Sequence, residues 1–203
     1  MTATMPPFVA FLAMSLVLII VPGPGQALTL SRTLSFGPRA GVMVALGLNT
    51  GTLVHVATAA LGVSAVLAAS EIAFSVLKYA GAAYLVYLAT GCLLASRDTA
   101  LAPSPRPGSS FRQGLAVGTL NPKVAIFFLA FLPQFVVPGG PPPLVQFLLM
   151  GSVIAVLDMA YEIALVYLAS RSRIGAQGTL QRWQPAFGVV LFAMAVFLAL
   201  AHR

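Results

Sequence analysis

The stretch Val21-Pro22-Gly23-Pro24-Gly25 interrupts a long apolar run near the start of the chain. Proline removes a backbone donor and clashes with the preceding helical turn, and glycine adds backbone freedom. The five residues therefore predict a break in a helix whose flanks are apolar enough to lie in a membrane. Broken backbone at membrane depth is tolerated only where protein buries it or where it lines a cavity.

The composition predicts an all-α integral membrane protein. Of the 203 residues, 59% are hydrophobic and only 7% are charged, whereas a soluble domain carries about a quarter charged residues. The net charge of +7 comes from arginines in short loops, which is typical of cytoplasmic loops and argues against nucleic-acid binding. The single cysteine, Cys92, excludes an internal disulfide and a dithiol redox couple. We expect no cofactor.

Six apolar segments predict six transmembrane helices in a single domain. They cover residues 7–31, 41–67, 72–95, 111–135, 144–169 and 185–201. The basic residues of the loops gather on one side of these segments, namely Arg32, Arg39, Arg97, Arg106, Arg112, Arg171, Arg173 and Arg182. The positive-inside rule makes that side cytoplasmic and places both termini outside.

A Pro-rich linker, residues 97–110, divides the chain into halves 1–96 and 111–203. Each half has three segments, so the second half enters the membrane from the opposite side and the halves are predicted to be inverted repeats. The first helix of each half is broken by proline, the second time at Asn121-Pro122-Lys123. Paired broken helices indicate the midplane binding site of a secondary transporter. The helical rise places Pro122 about 15 Å from Arg112, near the middle of a membrane core about 30 Å thick.

The two breaks carry the predicted substrate site. A broken helix presents amide groups that attract a carboxylate and carbonyl groups that attract a cation or an ammonium. Two opposed breaks therefore suit a zwitterion. The predicted substrate-binding residues are Pro22, Gly23, Pro24, Gly25, Asn49, Asn121, Pro122 and Lys123. The alternative for each break is a structural kink, since proline is common in membrane helices. A charge near the midplane is costly, so Lys123 is interpreted either as a ligand of a substrate carboxylate or as a member of an internal ion pair.

Asp158 and Glu162 are the acidic residues placed well inside a span, and they share one helix face. Because two close carboxylates in a low dielectric tend to retain one proton, we predict that they couple transport to protons. Structural pairing is the alternative for both. His55, on the same arc as Thr52, is either a proton relay or a hydrogen-bonded packing residue. No metal site is predicted, since the spans contain no second histidine.

Two pairs of glycines four residues apart, Gly47 with Gly51 and Gly114 with Gly118, have the spacing of close helix contacts in membranes. We predict that they pack helices together rather than bind a ligand.

Four motifs in order along the chain resemble those of the LysE/RhtB amino-acid exporters. They are Pro22-Gly23-Pro24, Gly37-Pro38-Arg39-Ala40-Gly41, Lys78-Tyr79-Ala80-Gly81-Ala82-Ala83-Tyr84-Leu85 and Asn121-Pro122-Lys123. Asp158 with Tyr161 is also similar to the acid–aromatic pattern of the fifth span in that family, whereas Glu162 is less typical. The resemblance covers nearly the whole chain.

This resemblance implies a bacterial inner-membrane exporter of amino acids or their derivatives, and not an enzyme. It implies drive by the proton motive force, assembly as a homodimer and contact with membrane lipid. Two alternatives stay open at this point. One is a carrier of another small solute or of a metal cation, and the other is a non-transporting membrane enzyme or scaffold.

Overall fold

The computed structural model describes residues 7–69, 71–94 and 109–171, and near the C-terminus residues 186, 189, 191–196 and 199–200. The elements in chain order are α1 Pro7–Ile20, α2 Pro24–Phe36, α3 Pro38–Ala69, α4 Glu71–Leu94, α5 Ser110–Thr119, α6 Pro122–Ile126, a π-helical segment Phe127–Phe131, a 3-10 turn Leu132–Phe135 and α7 Pro143–Arg171. Most of the predicted linker, together with Arg97, Arg106, Arg173 and Arg182, lies outside the described residues. The predicted sixth segment is described only at the few residues named above.

Two helices, α7 and the part of α3 covering Pro38–Gly62, are long and apolar enough to cross a membrane. Each broken helix also meets that requirement when its two parts are taken as one bent span. The bends are 50° between Phe8–Ile20 and Pro24–Phe36, and 42° between Ser110–Thr119 and Pro122–Phe135. The described residues therefore contain two spans, or four if each bent pair crosses once. The six-span arrangement stays a prediction.

Both predicted breaks are present, and in each an extended residue is followed by a proline that opens the next helix. Gly23 is extended, with φ −146° and ψ −174°, and Pro24 opens α2 directly after it. Asn121 is likewise extended, with φ −77° and ψ 105°, and Pro122 opens α6. Proline is tolerated at the first position of a helix, where its missing N–H would have no intrahelical partner. Each proline thus ends one helix and starts the next.

The loop expected around Arg32 and Arg39 is a single residue. Helix α2 continues to Phe36, and Gly37 makes the turn with φ 87°, a conformation that favours glycine. Arg32 is therefore a helical residue and is only 2% exposed. Its guanidinium donates to the Gln113 side chain of α5 and lies 5.0 Å from the Phe36 ring centroid.

Helix α3 packs along both α5 and α7 and forms the centre of the described fold. Its crossing with α5 is made by the four glycines singled out above. A Cβ added to Gly51 would lie 2.5 Å from the backbone nitrogen of Thr119, and one added to Gly118 would lie 2.7 Å from the Leu48 carbonyl oxygen. The two helix backbones therefore touch, as the glycine spacing predicts.

A cluster of buried aromatic rings fills the region beyond the second break, on the side away from Arg112. The Phe127 and Phe131 rings of the π-helical segment stack with centroids 5.0 Å apart. Phe135 meets Phe11 of α1 edge-on at 5.7 Å. The π-helical segment packs against α4. The aromatic cluster therefore joins elements of both predicted halves.

Candidate functional site

A cavity of about 40 Å³ lies where the two breaks meet α3 and α7. Its polar lining residues are Gln26, Thr52, Asn121, Lys123, Asp158 and Glu162. Gly25 and apolar side chains such as Leu48 and Phe128 complete the wall. Because a buried water needs about 10–15 Å³ by this measure, the cavity has room for about three waters. A free amino acid is larger, so this conformation is contracted around the site.

At the first break, Gln26 takes up the backbone groups that the interruption releases. Its side-chain Nε2 donates to the carbonyl oxygen of Ile19 at 3.0 Å, and its Oε1 accepts from the Gly23 N–H at 2.8 Å. Gln26 is buried within α2. One side chain therefore bridges the end of α1 and the start of α2, which is how unpaired backbone inside a membrane is satisfied.

At the second break, Lys123 reaches across to the first. Its Nζ donates to the Val21 carbonyl oxygen at 2.6 Å, and the residue is only 8% exposed. The Asn121 side chain caps α6 by accepting from the Lys123 backbone N–H at 3.1 Å. The carbonyl groups of Ile19 and Val21, expected to face a ligand, thus already accept hydrogen bonds from protein side chains in this conformation.

Asp158 and Glu162 both line the cavity from α7, as their spacing predicts. Thr52 of α3 lies beside Asp158. Thr29 of α2 lies beside Glu162. The Lys123 charge acts on both carboxylates. The site therefore places one cation against two acids in a region from which water is largely excluded.

The other predicted site residues lie around the cavity. Asn49 Nδ2 donates to the Ala155 carbonyl oxygen at 2.7 Å and ties α3 to α7. His55 Nε2 donates to the Gly118 carbonyl oxygen at 3.2 Å, next to the glycine crossing. Four further predicted residues form the breaks themselves, namely Pro22, Gly23, Pro24 and Pro122. Gly25, Asn121 and Lys123 are the predicted substrate residues that line the cavity.

Sequence reasoning did not single out Gln26 or Thr29. Gln26 follows the first break at once and is an uncharged polar residue in an apolar segment, which is the signal that points to it. Thr29 lies one helical turn further along the same face of α2. Among the described residues, no three side chains of His, Cys, Asp and Glu come together as a metal site.

Comparison with known proteins identifies the family. The model of the LysE-type translocators matches residues 16–202. A homoserine/homoserine lactone efflux protein of Salmonella typhimurium is 32% identical over 199 residues, which cover 96% of each chain. The uncharacterised membrane protein YrhP of Bacillus subtilis is 32% identical over 171 residues, 78% of this chain and 81% of that protein. No solved structure matches the chain. The resemblance drawn from the motifs is confirmed, and the chain belongs to the LysE-type translocator family, so it is a membrane transporter and not an enzyme.

Proposed function

We propose that the protein exports amino acids or their derivatives from the bacterial cytoplasm across the inner membrane in exchange for protons. The observation that carries the proposal is the cavity between the breaks, where Lys123 faces the carboxylates of Asp158 and Glu162. The relatives named for homoserine and homoserine lactone efflux make these two compounds the first substrates to test. Both carry a free amino group, and homoserine also has a free carboxylate.

The substrate carboxylate binds Lys123 and Asn121 in this proposal. A charge-assisted hydrogen bond to a carboxylate is stronger than one to a neutral carbonyl. An incoming carboxylate therefore competes with the Val21 carbonyl oxygen for the Lys123 ammonium. Gly25, at the N-terminal end of α2, adds the positive end of that helix dipole to the same region.

Asp158 is the proposed proton site. A proton on Asp158 removes one of the negative charges that attract a positively charged group into the cavity. Substrate and proton then disfavour each other at one site, which is the requirement for exchange in opposite directions. Thr52 keeps the Asp158 side chain oriented in both states, because a hydroxyl donates to a carboxylate and accepts from a carboxylic acid.

Transport requires the contracted cavity to enlarge. The two bent spans are the elements that move in this proposal, since broken helices flank a site at which access alternates between the two sides. The Arg32–Gln113 contact holds α2 to α5 on the arginine-bearing side, and the aromatic cluster packs the opposite side. The homodimer and the external position of both termini remain predictions from the sequence.

The test is uptake of labelled homoserine, homoserine lactone and a panel of amino acids by purified protein in liposomes, with and without an imposed pH gradient. We expect flux of one substrate class that rises with the gradient. Asp158→Asn should lose the response to the gradient and retain exchange of labelled for unlabelled substrate.

Ser152→Ala is the matched control, because Ser152 lies on the same helix and its hydroxyl donates locally to the Leu148 carbonyl oxygen at 2.7 Å. It should behave as the unmodified protein. If Asp158→Asn still concentrates substrate along the pH gradient, Asp158 is not the proton site. No flux of any amino acid by folded protein would favour a carrier of another small solute.

A further inference from the structure

We propose that Glu162 and Thr29 form the subsite that holds the ammonium group of the substrate. This inference rests on the proposed function and states which part of the substrate, the ammonium group, the site recognises. It separates the two acids of the cavity, since Glu162 binds substrate and Asp158 carries the proton.

The carboxylate of Glu162 is buried with an open acceptor. Glu162 is 3% exposed, and within the part of the chain that the structure describes its Oε2 has no hydrogen-bond partner. The hydroxyl of Thr29, a residue with 0% exposure, lies beside Glu162 and has no other hydrogen-bond partner in that part of the chain. A buried polar group without a partner is costly. The Thr29 hydroxyl can donate one hydrogen bond to the carboxylate and still has lone pairs to accept others. The open Oε2 acceptor of Glu162 in the cavity wall therefore indicates a place for a ligand that donates hydrogen bonds.

The other charged side chains of the cavity, Lys123 and Asp158, have neighbours of their own. Lys123 Nζ donates to the Val21 carbonyl oxygen, and Asp158 has Thr52 beside it. The charged or titratable groups that act on Glu162 are Asp158 on its own helix, Lys123 from α6 and the adjacent Tyr161. Glu162 is therefore the acid whose Oε2 offers an open acceptor to an incoming group, with the Thr29 hydroxyl beside it.

An ammonium group fits these acceptors. It carries a single positive charge and three donors and has no acceptor of its own. A carboxylate oxygen and a hydroxyl oxygen satisfy two of those donors and neutralise the charge. A divalent metal ion needs more ligands than this pair provides, and the described residues supply no cluster of three.

The position of the subsite suits export. Glu162 lies one helical turn beyond Asp158 towards Arg171, and thus nearer the arginine-bearing end of α7. A substrate that enters from the cytoplasm reaches Glu162 before Asp158. Recognition of the amino group thereby precedes displacement of the proton.

The experiment is counterflow of labelled homoserine in liposomes without a pH gradient, with unlabelled homoserine or N-acetylhomoserine as the competitor. N-acetylation removes the positive charge and leaves the carboxylate and hydroxyl, so it should not compete in the unmodified protein. Glu162→Gln should raise the half-saturating concentration of homoserine about 10- to 100-fold. It should also reduce the preference for the free amine.

Thr29 supplies a second variant that keeps the charge. Thr29→Val should raise the half-saturating concentration about 2- to 10-fold, and Thr29→Ser should restore it. Thr33→Val is the control, because Thr33 lies one turn along α2 and its hydroxyl already donates to the Thr29 carbonyl oxygen at 2.7 Å. If Glu162→Gln does not fold, the comparison of Thr29→Val with Thr29→Ser tests the ammonium subsite.

The outcomes separate this inference from the proposed function. Absence of homoserine exchange in the unmodified protein refutes the proposed substrate class. Normal exchange with an unchanged half-saturating concentration in Glu162→Gln and Thr29→Val refutes the ammonium subsite alone, as does competition by N-acetylhomoserine. Flux that depends on sodium, with that dependence lost in Glu162→Gln, would assign the subsite to an alkali ion and overturn the inference.

Discussion

Replacement of Gly51 by alanine should destabilise the protein through a single added carbon. Gly51 lies where α3 touches α5, and the atoms nearest to the position of an added Cβ are backbone atoms. They are the Thr119 nitrogen at 2.5 Å and the Gly118 carbonyl carbon at 2.6 Å. Backbone atoms in a helix cannot rotate away as the end of a side chain can, so the two helices themselves must separate.

The size of the effect follows from those distances. Ordinary contact begins at 3.4 Å, so a Cβ placed 2.5 Å from its neighbour requires a displacement of about 1 Å. Overpacking of this kind costs about 1–3 kcal/mol. Alanine recovers up to about 1 kcal/mol through its higher helix propensity. We therefore expect a net loss of about 1–2 kcal/mol.

Thermal unfolding of purified protein measures this loss. A chain of this size shifts its Tm by about 2–4 °C per kcal/mol, so Gly51→Ala should lower Tm by about 2–8 °C. Gly62→Ala is the matched control on the same helix, because nothing lies within 4 Å of its added Cβ, and its Tm should stay level or rise. A Tm for Gly51→Ala equal to that of the unmodified protein, or an equal loss in Gly62→Ala, would refute the argument from backbone contact.

Two further substitutions test the polar contacts around the cavity. Lys123→Met removes the charged hydrogen bond to the Val21 carbonyl oxygen, so it should lower the free energy of unfolding by about 1.5–3 kcal/mol, measured as a lower Tm. It should also abolish homoserine exchange, measured by counterflow. Full exchange would show that Lys123 does not bind substrate. His55→Gln retains a donor for the Gly118 carbonyl oxygen, so the pH profile of transport should stay unchanged, whereas a flattened profile would make His55 a proton relay.

Helical periodicity and local backbone chemistry predicted the breaks, the face shared by the two acids and the close helix crossing. A proline in the interior of a helical segment removes a backbone hydrogen bond and clashes with the preceding turn, so both breaks were predictable without knowledge of any partner helix. Asp158 and Glu162 share a face because a helix repeats at 3.6 residues per turn. The glycine pairs predicted a close crossing for the same reason. These features depend only on residues a few positions apart along the chain.

The partners of the polar groups were decided by the tertiary structure. Lys123 donates to Val21 and Asn49 to Ala155, contacts between residues about a hundred positions apart. The sequence left Lys123 between a substrate carboxylate and an internal ion pair, and only the crossing of the two broken helices brings it to the Val21 carbonyl oxygen.

The same reason explains the residues that sequence reasoning placed differently or did not single out. The sequence predicts Arg32 to be a loop residue. In the structure, Gly37 alone makes the turn, so Arg32 belongs to α2 and is buried against α5. The contacts of Gln26 and Thr29 depend on the packing of α2 against the end of α1 and against α7. Local sequence thus determined the two breaks, the glycine crossing and the shared helix face of Asp158 and Glu162. The choice of hydrogen-bond partners, and hence which acceptor stays open for a ligand, came from packing between distant segments.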